Sequence, residues 1–197
     1  MKCKALLVST PVHHGSCAVI STNDIASIRA LLAQIPDPEI PAVTLVDLGI
    51  LRNVSLDDDV VVVDLTPTYS GCPATEMINT MVRETLAASG FNKVRVHLKL
   101  DPPWSSDWIT PSGRTKLKEY GIAPPAHCAV DLQQSDPDAL RAGNVRPLQF
   151  SPPNVGIRCP RCDSHQTQRL SQFGSTPCKA LYRCTSCLEP FDYFKPF

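Results

Sequence analysis

The 197-residue chain carries 19 basic and 19 acidic side chains, so no net charge draws it to nucleic acid or to an anionic membrane surface. Its length suits one medium domain plus a small one, and its 19 prolines against 9 glycines argue for stiff turns rather than loose linkers. No run approaches the ~18 apolar residues of a membrane span, and the apolar patch in "MKCKALLVSTPVHHGSCAV" is too brief and interrupted for a signal peptide.

Residues 1–21 have no usable periodicity and are expected to be a disordered extension. Capping residues from Ser21 then precede a helix with Ile25, Ile28, Leu31, Leu32 and Ile35 along one face, stopped by Pro36 and Pro38. "TLVDLGILRNVSLDDDVVVVDLT" reads as two strands around an acidic turn at Asp57, Asp58 and Asp59. The second, from Val60 to Leu65, is apolar apart from Asp64, as a strand covered on both faces would be. A helix after Cys72 sets Met77, Ile78, Met81, Val82 and Leu86 on one face and ends at Gly90. In a third strand, Val94, Val96, Leu98 and Leu100 alternate with Arg95, His97 and Lys99, which leaves one face polar. Thr110 caps, and Pro111 opens, a short further helix. The order α-β-β-α-β-α makes residues 22–122 a small α+β domain. Residues 123–156, proline-rich and without period, read as a linker, and residues 157–197 as a separate cysteine module.

The chain has nine cysteines, an odd number, and four of them form two CxxC pairs. That pattern fits metal binding in a reducing cytoplasm better than a disulfide framework. Each of Cys159–Cys162 and Cys184–Cys187 turns the backbone tightly enough to aim two thiolates at one point, and two such turns complete a tetrahedron. Asp163 fills the position after the first pair, where a left-handed backbone is common and aspartate tolerates it. With all four positions filled, zinc is the default ion, although an iron–sulfur cluster also takes four thiolates. Cys178, six residues before Cys184, reads as a non-ligand thiol near that site.

Cys72 lies between Gly71 and Pro73 at or near the start of a helix. Unpaired amide N–H groups and the positive end of the helix dipole would favour its thiolate there. Packing as a small buried hydrophobe is an equally good reading of the pattern. Asp37 and Glu39 sit in a proline-framed loop that, taken alone, reads as a solvated turn. His13, His14, His97, His127 and His165 have no evident ligand partnership; His165 follows the first knuckle closely, but exposure suits it better.

"IPDPEIPAVTLVDLGILRNV" followed by "TPTYSGCPATEMI" resembles the small iron–sulfur assembly domain of bacterial SufT-type proteins and eukaryotic cytosolic iron–sulfur targeting factors. Combined with "FGSTPCKALYRCTSCLEPFDYFK", the chain resembles the PaaD family of bacterial phenylacetate degradation over residues 22–125 and 157–197. The resemblance implies an iron–sulfur-assembly-type α-β-β-α-β-α domain followed by a C-terminal four-cysteine zinc ribbon. It implies a cytoplasmic accessory of phenylacetyl-CoA ring 1,2-epoxidase, not an enzyme by itself, that assists cluster maturation of the reductase. The implied partners are the iron–sulfur flavin reductase and the oxygenase component, with no nucleic acid and no membrane; a homodimer is left open. Cys72, Asp37, Glu39 and Thr68 would form an iron or cluster-relay site, and Cys159, Cys162, Cys184 and Cys187 would hold one structural zinc. A transient iron ion or iron–sulfur cluster would be the cargo. Tyr69 stands where the broader family often has a small residue, the linker from Asp131 to Phe150 is longer than the family's, and the first 20 residues match no part of it. The alternative is a stoichiometric non-catalytic subunit of the epoxidase. The chain lacks Glu-x-x-His helices, a GxGxxG loop and a ferredoxin-like cysteine run, which opposes a catalytic role in oxygen or flavin chemistry. Its neutral charge opposes the nucleic-acid role that many ribbons serve.

Overall fold

The computed structural model describes residues 25–125 and 157–196. The expected N-terminal extension, nearly all of the linker, the cap of the first helix, and His13, His14 and His127 lie outside the described residues. Helix α1 (Ile25–Leu32) buries Ile28 and Leu32. Ile35 joins the core from the turn that follows, and Ile25 is exposed. Residues 33–50 form no strand or helix, yet Ile40, Val43, Leu45 and Leu48 are all buried. Backbone bonds hold this segment in place, among them Asp37 N–H to the Val43 carbonyl at 2.9 Å and Leu45 N–H to the Ile35 carbonyl at 3.1 Å.

Strands β1 (Leu51–Asp57) and β2 (Val60–Leu65) form an antiparallel hairpin. Asp58 takes a left-handed φ of 53° at the acidic turn, a conformation aspartate accepts more readily than most residues. Helix α2 (Ala74–Ala88) crosses back so that β3 (Val94–Leu98) pairs parallel to β2, giving the order β1-β2-β3. β2 is therefore central and buried from Val61 to Leu65, as its apolar run predicts. Its one acid, Asp64, accepts from Lys99 Nζ at 2.8 Å and faces His97 Nδ1 at 3.4 Å. The polar face of β3 thus has a partner in that buried carboxylate, since a buried charge needs one.

Beyond Ile25, two further apolar expectations fail. α2 packs through Ala74, Ile78, Val82 and Leu86, a stripe at four-residue spacing, and Met77 is left 57% exposed. Leu98 and Leu100 are also exposed: β3 is an edge strand that meets the core through Val94 and Val96, and Leu100 lies beyond its end.

A 3-10 turn at Ser106–Trp108 leads into α3 (Pro111–Tyr120). Thr110 caps α3 as expected, its hydroxyl accepting from Gly113 N–H at 3.0 Å. Gly113 is required for a second reason: a Cβ there would sit 2.6 Å from the Asp47 carbonyl oxygen. Asp47 ties the irregular segment to α3 by accepting from Thr44 N–H at 3.0 Å and Lys116 Nζ at 2.6 Å.

Immediately after α3, β4 (Ile122–Ala123) leaves the first sheet and pairs parallel with β7 (Pro190–Phe194). With β5 (Thr167–Ser171) and β6 (Lys179–Cys184) the second sheet runs β4-β7-β6-β5. Ala123, expected in the linker, is thus an edge residue of the cysteine module. The two parts also share one core: Cys178 and Phe194 cluster with Trp104, Leu117 and Ile122. The Trp104 and Phe194 rings lie 5.9 Å apart, and Lys118 Nζ reaches Asp163 at 2.7 Å.

Candidate functional site

The four CxxC thiols converge. Their sulfurs all lie within 4.8 Å of one another, with Cys159–Cys187 at 3.7 Å and Cys162–Cys184 at 3.6 Å. A tetrahedral ion with ~2.3 Å bonds to sulfur spaces its ligands by about 3.8 Å, so the set fits one zinc ion with no position left open. Asp163 has φ 58°, as the sequence predicts, and Leu188 has φ 66° at the equivalent place after the second pair. The Cys187 N–H, followed by that of Ser186, pulls the Cys184 thiol down to about 6, which readies it as a thiolate ligand. Cys178 is outside this set.

The second candidate site forms where the irregular segment, the β2–α2 loop and the ribbon meet. Asp37 is 7% exposed and so not in a solvated turn; its Oδ1 accepts from Glu39 N–H at 2.9 Å and Ile40 N–H at 2.8 Å. Burial nevertheless pushes its pKa up, outweighing those two donors and the nearby charge of Lys179. Glu39 is half-buried, and burial followed by the Asp37 charge raises it as well. Thr68 lies half-buried in the β2–α2 loop.

Cys72 is half-buried, one residue before the N-cap, which is Pro73. The expectation of a lowered thiol pKa is corrected here. Burial raises it, with Glu39 and Asp37 adding to the rise, and together these outweigh the N–H groups of Ala74 and Thr75 at the helix start. Helix-end amides favour a thiolate, but a poorly hydrated thiol beside two carboxylates disfavours it more.

The ribbon supplies what sequence reasoning missed. Cys178 is 6% exposed, accompanied by the Thr176 hydroxyl at 3.0 Å, and its Sγ lies 3.9 Å from Glu39 Oε2. It is near the acidic loop rather than near the zinc set. Lys179, the next residue, is 4% exposed and pairs with Asp192 at 3.6 Å. Its charge acts on Asp37, Glu39 and Cys178. The one sequence signal for this arrangement is an unassigned cysteine next to a lysine at the start of a strand.

Residues 149–195 match the family model for the PaaD zinc beta ribbon domain, and residues 25–103 the one for iron–sulfur cluster assembly protein. A protein of Escherichia coli (strain K12) named as a component of 1,2-phenylacetyl-CoA epoxidase is 50% identical over 180 residues, 90% of this chain and 96% of that protein. An Fe–S protein maturation auxiliary factor of Porphyromonas gingivalis is 34% identical over 92 residues, 46% of this chain and 87% of the relative. A solved domain of unknown function from Bacillus anthracis aligns with a TM-score of 0.44 and 27% identity, covering 47% of this chain and 90% of that one. The chain belongs to the PaaD family of the phenylacetyl-CoA epoxidase system, with an iron–sulfur assembly domain and a zinc ribbon.

Proposed function

With that membership as premise, we propose that the chain assists iron–sulfur maturation of the epoxidase system's reductase, holding iron or a cluster transiently at Cys72 with Asp37, Glu39 and Thr68. The observation that carries the reading is the gathering of Cys72, Asp37 and Glu39 close enough for each carboxylate's charge to act on the thiol. A soft thiolate with a hard carboxylate suits ferrous iron, which accepts both ligand types. Binding would expel the thiol proton, and reprotonation would favour release, which fits a carrier better than a store. The ribbon's closed thiolate set has no coordination position left for cargo, so zinc there serves structure.

The test compares cluster content of the reductase matured with wild type or with Cys72→Ser. Serine keeps the size but offers no soft ligand, so cluster content is expected to fall severalfold while thermal unfolding barely moves. Normal cluster content with the serine variant would remove the relay role. A second reading, a stoichiometric subunit without chemistry of its own, is favoured by the name of the Escherichia coli relative, which counts it among the epoxidase's subunits. Reconstituting the epoxidase from separately matured components separates the two: a continuing stoichiometric requirement for this chain supports the subunit reading.

A further inference from the structure

We infer that the open edge of β3 is a docking surface for an extended segment of a partner protein, one whose acidic side chains alternate with apolar ones. The inference rests on the maturation reading only in taking that partner for a client, and it needs no cargo at Cys72.

The sheet order β1-β2-β3 leaves the outer side of β3 without a strand among the described residues. In a parallel pair, alternate residues of a strand direct their backbone groups at the neighbour. Val61 N–H donates to the Lys93 carbonyl and Lys99 N–H to the Leu65 carbonyl, both at 2.8 Å, so the odd-numbered residues of β3 face β2. Val94, Val96 and Leu98 therefore turn their N–H and C=O groups outward. Arg83 closes one end by donating from its guanidinium to the Val94 carbonyl at 2.9 Å. Val96 and Leu98 stay open, and such an edge is a template on which a peptide adds a strand.

The side chains say which peptide. On one face of the edge, Val96 is half-buried, while Leu98 and Leu100 are 45% and 58% exposed. An incoming strand would cover that apolar surface. On the other face, Lys93, Arg95, His97 and Lys99 are all exposed and recur at every second position. Their carboxylates lie on the inner side: Lys93 pairs with Asp59, Arg95 reaches Asp57 at 3.1 Å, and Lys99 reaches Asp64 at 2.8 Å. The acids thus stand behind the basic row, and the row itself fronts the free edge.

A second copy of this chain is the obvious competitor, and the same row opposes it. In an antiparallel pair, outward backbone groups meet outward ones, so a second β3 would set basic residues opposite basic residues in any register. Like charges directly opposite are destabilising, which is how basic edges deter self-pairing. Acidic side chains at those positions would instead complete cross-strand ion pairs. Because β2 and β3 run parallel toward the loop that carries Cys72, one end of a docked segment lies on the side of that loop.

The zinc-loaded, isotope-labelled full chain, titrated with a short capped peptide alternating glutamate with valine, tests this. The control peptide replaces each glutamate by lysine. With the acidic peptide, the amide NMR signals of Val96 and Leu98 are expected to shift and their hydrogen exchange to slow. The lysine peptide should bind about tenfold more weakly or worse, and the difference should shrink at high salt. Leu98→Pro removes one outward donor without touching the ladder to β2, and should weaken the acidic peptide about fivefold or more. Should that variant fail to fold by thermal unfolding, Lys99→Glu keeps the backbone; it should weaken the acidic peptide and strengthen the lysine one. Equal binding of the two peptides, no binding of either, or binding that leaves Val96 and Leu98 unmoved would overturn the inference. Slow exchange of those two amides in the free chain would overturn it too, by showing the edge already covered, and by a second copy if protection grows with concentration. Reductase cluster content keeps the two readings apart: dependence on Cys72 without peptide binding leaves the relay standing and removes the docking edge.

Discussion

The four ribbon thiols and the two thiols near Glu39 use the same side chain in opposite surroundings. In the ribbon, neighbouring sulfurs and amide N–H groups split a closed set: Cys184 is pulled down to about 6, by the Cys187 N–H first, while Cys162 and Cys187 are pushed up. At the acidic loop, burial dominates and the carboxylates add to it, and both Cys72 and Cys178 are pushed up. The first arrangement favours permanent metal, because its four sulfurs already stand at tetrahedral spacing with no position open. The second resists ionisation until something positive arrives, which suits binding that must be reversed.

The largest effect should come from breaking the closed set. Cys184→Ser is expected to lose the zinc, and structural zinc supplies on the order of 10 kcal/mol to small modules. The sequence, with a linker between two domains, predicts that residues 157–197 unfold alone. The shared core changes that expectation, since Phe194 is 1% exposed against Trp104 and Cys178 is buried beside them. The assembly-type domain should therefore lose stability with the ribbon, seen as a single lowered transition in thermal unfolding alongside zinc analysis. An unchanged transition for residues 25–125 would separate the two parts again, and full zinc occupancy in the variant would remove Cys184 from the ligand set.

The same comparison explains what the sequence can and cannot reveal. The four-thiol tetrahedron is legible because CxxC spacing is local and the knuckle geometry follows from it, down to the left-handed backbone at Asp163. Helix α2 and the buried strand β2 are legible from their periods. Nothing local announces that Ile122–Ala123 pairs with β7, because two residues carry no period and the partner lies far along the chain. Cys178 is misplaced by sequence for a related reason. Counting six residues to Cys184 puts it near the zinc, whereas the path through space puts it beside Glu39. The Cys72 pKa is misjudged from sequence because helix ends can be read there, while burial and the approach of two carboxylates cannot.

An intermediate effect should appear in thiol reactivity. With its pKa raised by burial and by Glu39 and Asp37, Cys72 should alkylate more slowly at neutral pH than an unperturbed cysteine. The rate should keep climbing past pH ~9, where an ordinary thiol is already mostly ionised. Mass spectrometry of Cys72 peptides after timed exposure to iodoacetamide measures this. A rate that levels off below pH ~8 would mean that the helix amides win after all.

The smallest effect, and the sharpest in sign, concerns Asp37. Its pKa is raised by burial, so the folded chain holds that proton more tightly than the unfolded chain does. Ionised Asp37 then costs stability as pH rises from the unfolded value of ~3.9 through the folded pKa, and the cost is complete above it. Asparagine can accept the same two bonds, from Glu39 and Ile40 N–H, without carrying the charge. Asp37→Asn should therefore be no less stable than wild type at pH ~7, with its advantage shrinking toward pH ~3, where both side chains are neutral. Asp47 supplies the opposite control. Although burial alone would raise it, Lys116 and Thr44 hold it lower, so its contribution is present above the unfolded pKa and fades as pH falls through the folded one. Urea unfolding of wild type, Asp37→Asn and Asp47→Asn between pH ~3 and ~7 reads both signs. A buried carboxylate retained against stability points to use, and Asp37→Asn should lower the cluster content of the reductase matured with it. Destabilisation at neutral pH with unchanged cluster content would instead make Asp37 a loop cap and nothing more.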